Sequence, residues 1–404
     1  MYDKGVKDDE MKNYSFFKKY LGELPLFFCV LACISGVGKF FALALTFLVA
    51  YLLKNKKRFT FDFKNILRFR VNIFFILCFI ISLLLVSFVL NNQHGIKESL
   101  HYFGRMLPFF FVIFFIGNNN LSCHDRCVFV SMCIGVLVAG YSYWYNYLTL
   151  EISRANGMLG SVNIFGGTII LVLPFIVALT YKLRNNILYR ILGLITVGYL
   201  LLTLLMIQSR GALLGLGALV TVYIVLLYKI KSITFKQFFF VISLEIICAS
   251  VCYFYFYDLL HRGYDYVRPA LWQVAWNIFN EYPITGIGFG NYSSKYVSDV
   301  FVSPLLMEKS VWTHAHNIYL KFLSETGIIG FCGFIALIIS QMVILWKNIY
   351  YGNDNFYSIS MFLAISGMLI HGWFDVCFSA RYYAMTYWLL WGLTTCDLQY
   401  WKEV

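Results

Sequence analysis

Charge is scarce in this 404-residue chain: Asp, Glu, Lys and Arg together make up 13% of it, while 60% is hydrophobic and the mean hydropathy is +0.71. No water-soluble domain of this size could bury or expose so much apolar surface, so a bilayer must be its solvent. The apolar stretches lack the every-second-residue alternation of membrane strands, which excludes a transmembrane β-barrel. No small-residue cleavage motif follows the first apolar run, so no removable signal peptide is expected and the first helix acts as its own insertion signal. Internal repeats and low-complexity tracts are missing too, and one polytopic membrane domain over 1–404 is expected. Most of the eleven cysteines, Cys29, Cys33, Cys133 and Cys332 among them, sit inside apolar runs, where they act as small hydrophobes rather than as a disulfide framework.

What the sequence does have is a succession of apolar runs near the length that crosses roughly 30 Å of hydrocarbon, where backbone polar groups must be satisfied inside helices. The expected fold class is therefore an all-α integral membrane protein. About twelve transmembrane helices are placed near 24–37, 39–53, 71–90, 104–117, 126–148, 164–181, 189–208, 211–228, 237–256, 318–346, 356–373 and 378–396. Lys54 to Arg70 is densely basic, and putting it inside assigns 21 of the 32 Lys and Arg to the cytoplasm, with both termini there. This topology accounts for the basic pI of about 9.1 without nucleic acid. One outer, periplasmic loop is long: Tyr257–Ala315, between helices nine and ten. Loops of that length are usually functional.

Five arginines fall on the side where the positive-inside rule does not want them: Arg154, Arg210, Arg262, Arg268 and Arg381. Arg210 is the sharpest case, in Gln208-Ser209-Arg210-Gly211 between two closely spaced apolar runs. Two readings stand side by side. Singly, an arginine can snorkel to headgroups or pair with Asp265, Asp299 or Asp375. As a set beside Gly and Asn, with few outer carboxylates, they suit a diphosphate, which matches the bidentate guanidinium fork.

In the long loop, Leu271, Val274, Ala275, Ile278 and Phe279 recur at helical spacing, predicting a short amphipathic helix along the membrane surface that breaks at Pro283. Gly286-Ile287-Gly288-Phe289-Gly290-Asn291 lacks the glycine spacing and the strand-helix-strand setting of a dinucleotide loop, and reads as a tight turn. Thr313-His314-Ala315-His316-Asn317 then leads into a helix that Gly327 interrupts. His316, near that helix's N-terminus and among cations, suits a neutral proton acceptor; a hydrogen-bonded structural histidine is the alternative. His314 and His316 lack a carboxylate or cysteine at ligand spacing, so no metal and no cofactor are expected.

Taken in order, Ser209-Arg210-Gly211, Arg268 with Trp272, Pro283 to Asn291, and His316-Asn317 with Glu325, Gly327 and Gly330 resemble the signature region of the O-antigen ligase and O-antigen polymerase family. Upstream, Arg154, Gly160, Asn163 and Gly166 are similar to a further family element, with Ser161-Val162-Asn163 where Asn-Pro-Asn is common. The resemblance spans roughly Arg154 to Phe334. It implies a GT-C-like, metal-independent, inverting glycosyltransferase that takes O-antigen from undecaprenyl diphosphate and delivers it to lipid A core, at the periplasmic face of a Gram-negative inner membrane. His316 would be the catalytic base; Arg210, Arg268 and Arg154 would hold the diphosphate; Asn317, Trp272, Asn163 and Glu325 would support them. An O-antigen polymerase acting on the same donor is the nearest alternative, and the dominance of a single outer loop favours the ligase. A lipid or polysaccharide transporter would instead place broken or charged helices at the midplane.

Overall fold

The computed structural model describes residues 22–54, 70–116, 124–150, 157–255, 267–293, 314–352 and 355–398. Among them the only β-pairing is an isolated bridge between Gly157 and Gly160; the rest is helix and connection. In chain order the helices are α1 (Gly22–Ser35), α2 (Gly38–Lys54), α3 (Arg70–Val89), α4 (Gln93–Arg105), α5 (Leu107–Ile116), α6 (Asp125–Leu150) and α7 (Val162–Lys182). They continue with α8 (Ile187–Met206), α9 (Arg210–Lys229), α10 (Phe235–Tyr255), α11 (Val267–Glu281), α12 (Ile318–Tyr351), α13 (Phe356–His371) and α14 (Arg381–Asp397).

Each of the twelve predicted apolar segments holds a helix. Among the described residues, six stretches are long and apolar enough to cross a membrane: α4 and α5 taken together, α6, α7, α8, α9 and α12. Leu43 on α2, Leu85 on α3, Leu194 on α8, Phe240 on α10 and Ile339 on α12 are exposed, as a surface facing lipid requires.

The centre of the bundle is α7, with α13 and α9 packed against it. Apolar attraction between helices is weak when the solvent is itself hydrocarbon, so close packing must hold them together, and small residues make it possible. A Cβ added to Gly367 would lie 2.5 Å from Ile170 Cγ2, and one added to Gly215 would lie 3.1 Å from the Gly367 carbonyl oxygen. Away from this centre, Asp125 on α6 is buried and paired: Lys182 Nζ lies 3.1 Å from one carboxylate oxygen and the Tyr357 hydroxyl donates to the other at 2.9 Å. A buried carboxylate partnered this way ties the ends of α6, α7 and α13 to one another.

The expected break in α12 is at Gly327, whose φ of 58° and ψ of −162° lie outside helical space. The turn that follows α11 enters the gap. Ile328 N–H donates to the Pro283 carbonyl (2.9 Å), and Ile287 N–H to that of Ser324 (3.2 Å). A side chain on Gly327 would place its Cβ 2.3 Å from the Ile284 carbonyl oxygen, in a backbone region that only glycine adopts freely. Gly327→Ala is therefore expected to destabilise the fold by about 1–3 kcal/mol or more. Thermal unfolding of the purified protein in detergent checks this, and an unchanged midpoint would show that the turn does not depend on the break.

Glu325 secures the same junction. It is fully buried, accepts both contacts of Lys321 Nζ at 2.8 Å, and takes the Gly290 N–H at 2.8 Å. The glycine-rich segment is thus a turn held on α12, as its spacing indicated. The amphipathic helix is also present as α11, burying Leu271, Val274, Ala275 and Ile278 over Ile287, Tyr292 and Ala315.

Candidate active site

The site grows from the N-terminus of α12. Asn317 caps this helix: its Oδ1 accepts the N–H groups of Tyr319 (2.9 Å) and Leu320 (3.0 Å), satisfying donors that have no intrahelical partner. Its Nδ2 donates to the Trp373 carbonyl (3.2 Å), and the next residue, Ile318, donates its N–H to the Gly372 carbonyl (2.8 Å). The connection between α13 and α14 is thereby pinned to the start of α12. His316 is the residue that turns the chain into this capped helix, and it does so at φ 48°, a conformation unfavourable to any residue with a Cβ.

Pinning the two segments together sets His316 beside Asp375. The His316 Nδ1 is 3.6 Å from Asp375 Oδ2, an electrostatic contact slightly longer than a hydrogen bond. Asp375 is otherwise held firmly: its Oδ1 accepts the Val376 N–H (2.7 Å) and its Oδ2 accepts Asn163 Nδ2 (2.7 Å). Asn163 in turn accepts the Ser209 hydroxyl on its Oδ1 (3.0 Å). Ser209 immediately precedes Arg210, the first residue of α9. One polar chain therefore runs from His316 through Asp375 and Asn163 to Ser209, the residue before Arg210.

Its electrostatics follow from burial and from the histidines. Burial alone would raise the Asp375 carboxyl, but the adjacent His316, then His371 and His314, outweigh it and hold the group well below the usual carboxylate range. His314, whose ring meets that of His316 edge-on at 4.2 Å, is pushed down to about 4, by burial first and by His316 second. Near neutral pH, Asp375 is ionised and His314 is neutral.

The predicted phosphate-binding residues are distributed as follows. Arg210 is half-buried at the positive end of the α9 dipole, which favours an anion. Gly211 beside it is in contact with the region of His371 and Phe374: a Cβ there would stand 3.0 and 3.1 Å from those side chains. Arg268 is the second residue of α11, and its charge reaches His371. Arg268 and the N-terminus of α9, where Arg210 stands, thus lie toward His371. Arg154 and Arg262 lie outside the described residues. Trp272, one turn beyond Arg268, has a buried indole Nε1 with no hydrogen-bond partner among the described residues, a donor suited to an oxygen of a bound molecule. Asn317 and Glu325 are tied into caps and turns, and Asn163 contacts Asp375 directly.

Sequence reasoning offered Asp375 only as one of three possible ion-pair partners for the outer arginines; the fold sets it against His316. The signal was present in a single carboxylate between two apolar runs, which at a membrane face is a functional residue by default. Its position also bears on metal binding. The reading of no metal rested on the missing carboxylate, and the fold supplies one: ligand atoms of His314, His316 and Asp375 all lie within 4.8 Å of one another. Two imidazoles and a carboxylate are a donor set that zinc can use.

Residues 193–335 match the family model of the O-antigen ligases. The matched region contains Arg210, Arg268, Trp272, His316, Asn317 and Glu325, whereas Asn163 and Asp375 fall outside it. No curated protein matches the chain. With its apolar helices, the chain is a multi-pass membrane protein whose residues 193–335 are similar to the O-antigen ligase family.

Proposed function

We propose that this protein is an O-antigen ligase, a metal-independent inverting glycosyltransferase of GT-C-like architecture. It spans a Gram-negative inner membrane about twelve times, with both termini in the cytoplasm and the site at the periplasmic face. Its donor is O-antigen on undecaprenyl diphosphate, and its acceptor is a sugar hydroxyl of lipid A core. The observation that carries this reading is the polar chain from His316 through Asp375 and Asn163 to Ser209, which immediately precedes Arg210.

With Nδ1 turned to Asp375, the His316 tautomer that keeps its proton there leaves the Nε2 lone pair for the acceptor hydroxyl. The acceptor oxygen attacks the anomeric carbon as its proton passes to Nε2. The bond from that carbon to the diphosphate oxygen breaks, and the electron pair leaves with the diphosphate. Arg210 and Arg268, with Arg154 assisting, stabilise the charge that grows on the leaving group. In-line attack inverts the anomeric centre, so retention in the product would contradict the scheme. Asp375 orients His316 and stabilises it once protonated.

The test is a gel profile of lipopolysaccharide, with a parallel assay of undecaprenyl-linked glycan, from cells lacking the gene and from complemented cells. Long chains stranded on undecaprenyl diphosphate over bare core are expected. Core carrying a single repeat unit would instead establish a polymerase.

The cluster of His314, His316 and Asp375 yields a second expectation. A proton acceptor must keep its lone pair, so zinc bound there would block it. Chelation with EDTA should leave turnover unchanged and micromolar zinc should inhibit it in a purified transfer assay. Loss of activity on chelation, with recovery on adding metal, would replace the metal-independent mechanism with a metal-assisted one.

A further inference from the structure

Arg381, one of the five outer arginines, has no place in the mechanism above. It opens α14, six residues after Asp375 in the same connection, and is exposed, with its guanidinium 5.5 Å from the Tyr382 ring centroid. Two other cations come to the same spot. Arg105, at the end of α4, donates to the Ser379 carbonyl, and its charge and that of Arg381 act on each other. Lys39 is exposed in the first turn of α2, where the preceding Gly38 approaches the Tyr382 hydroxyl: a Cβ there would stand 3.3 Å from it. Glu98 lies 3.7 Å from Arg105, and neither Lys39 nor Arg381 has an ion-pair partner among the described residues. Cations that repel one another at a membrane face are held in place most readily by an anion between them.

Directly beneath lies an apolar groove of about 540 Å³ between α2, α3 and α5, a size typical of small-molecule sites. Leu107 and Phe41 line its outer end, immediately below Arg105 and Lys39, and Leu45, Phe110, Leu48 and Phe114 continue it inward. From Leu107 to Phe114 it descends roughly 10 Å along α5. A basic rim over a hydrocarbon-lined slot has the charge and polarity pattern of a bound anionic lipid, its phosphate at the rim and its chains in the slot.

We infer that Lys39, Arg105 and Arg381, with the groove below them, form the docking site for the acceptor lipid, engaging a phosphate of a multiply acylated, phosphorylated glycolipid and seating its acyl chains. This rests on the proposed transfer reaction, in which the donor's diphosphate is assigned to Arg210 and Arg268 around α9 and α11. The groove is built from other helices. The stretch from Asp375 to Arg381 spans no more than roughly 20 Å even when extended, so a lipid-borne saccharide anchored at the rim has its hydroxyls within reach of His316.

The experiment uses full-length protein in nanodiscs and, as probe, a hexa-acylated glucosamine disaccharide carrying two phosphates, with its dephosphorylated form and phosphatidylglycerol as comparisons. Arg381→Gln and Lys39→Gln remove exposed cations, and Leu45→Trp fills the groove from its lipid-facing side, so none of the three disturbs a buried contact. Arg381→Gln should weaken binding of the phosphorylated probe about tenfold and leave the dephosphorylated form unaffected, while Leu45→Trp should weaken both. In transfer assays Arg381→Gln should raise the acceptor KM by a similar factor, with kcat and the donor KM changed less than twofold. Wild-type-like binding by all three variants, or equal competition by phosphatidylglycerol, would overturn the site. Arg381-dependent binding without any glycan transfer would uphold the site and remove the ligase reading; transfer with an unaltered acceptor KM in Arg381→Gln would do the reverse.

Discussion

Substituting His316 with alanine is expected to lower glycan transfer by about 100- to 10,000-fold, the usual contribution of a positioned general base. The protein should still fold and still bind the lipid-linked donor, because His316 lies outside the helix that Asn317 caps and the diphosphate is held by other side chains. Asp375→Asn separates base from orienter. It retains the shape and the Asn163 neighbourhood but removes the charge that stabilises a protonated His316. A fall of about 10- to 100-fold is expected. If Asp375 acts through His316, Asp375→Asn should cost little more in a His316→Ala background than His316→Ala costs alone. The measurement is kcat/KM for wild type, both variants and the double variant. A histidine serving only to shape the loop would give His316→Ala and Asp375→Asn the same modest loss, tracking stability.

Much of this arrangement could be read from the sequence, and what could not has identifiable physical causes. The apolar runs, the break at Gly327, the helix carrying Leu271 to Phe279 and the turn at Gly286 to Asn291 are local features, encoded by periodicity and by glycine at fixed offsets. The pairing of His316 with Asp375 is not local. It depends on Ile318 and Asn317 bonding to the 372–373 backbone, and no spacing along one chain announces that two connections far apart will share hydrogen bonds. The helix α4 was missed for another reason. Its buried face, Gly95, Ser99 and Tyr102, is small and polar, and its exposed face carries His94, Lys97 and His101, so a search for apolar spans passes over it. Yet α4 brings Arg105 to Arg381. Asn163 was found through resemblance alone, and its bonds to Asp375 and Ser209 now supply the physical reason for an amide there: it accepts from one neighbour while donating to the other.

Arg210→Lys is the substitution that tests the diphosphate clamp most severely, because it keeps the charge. A lysine at this position still stands at the positive end of α9 and still attracts an anion, so donor binding should weaken by less than about tenfold. Catalysis asks for more than attraction. As the anomeric bond lengthens, charge develops on two or more oxygens of the leaving diphosphate, and a planar guanidinium can meet two of them with parallel donors where an ammonium presents a single point of charge. Interactions that strengthen only in the transition state appear in kcat, so kcat should fall by about 100-fold or more, the loss typical of one removed donor in a preorganised anion site. Arg268→Lys should behave alike, and the double variant should lose less than the product of the two, since both forks bind one leaving group. Single-turnover rates at saturating donor separate the chemical step from binding. A variant whose donor KM rises while kcat holds would relegate Arg210 to ground-state attraction, leaving the departing diphosphate to be stabilised by Arg268 and the α9 amides.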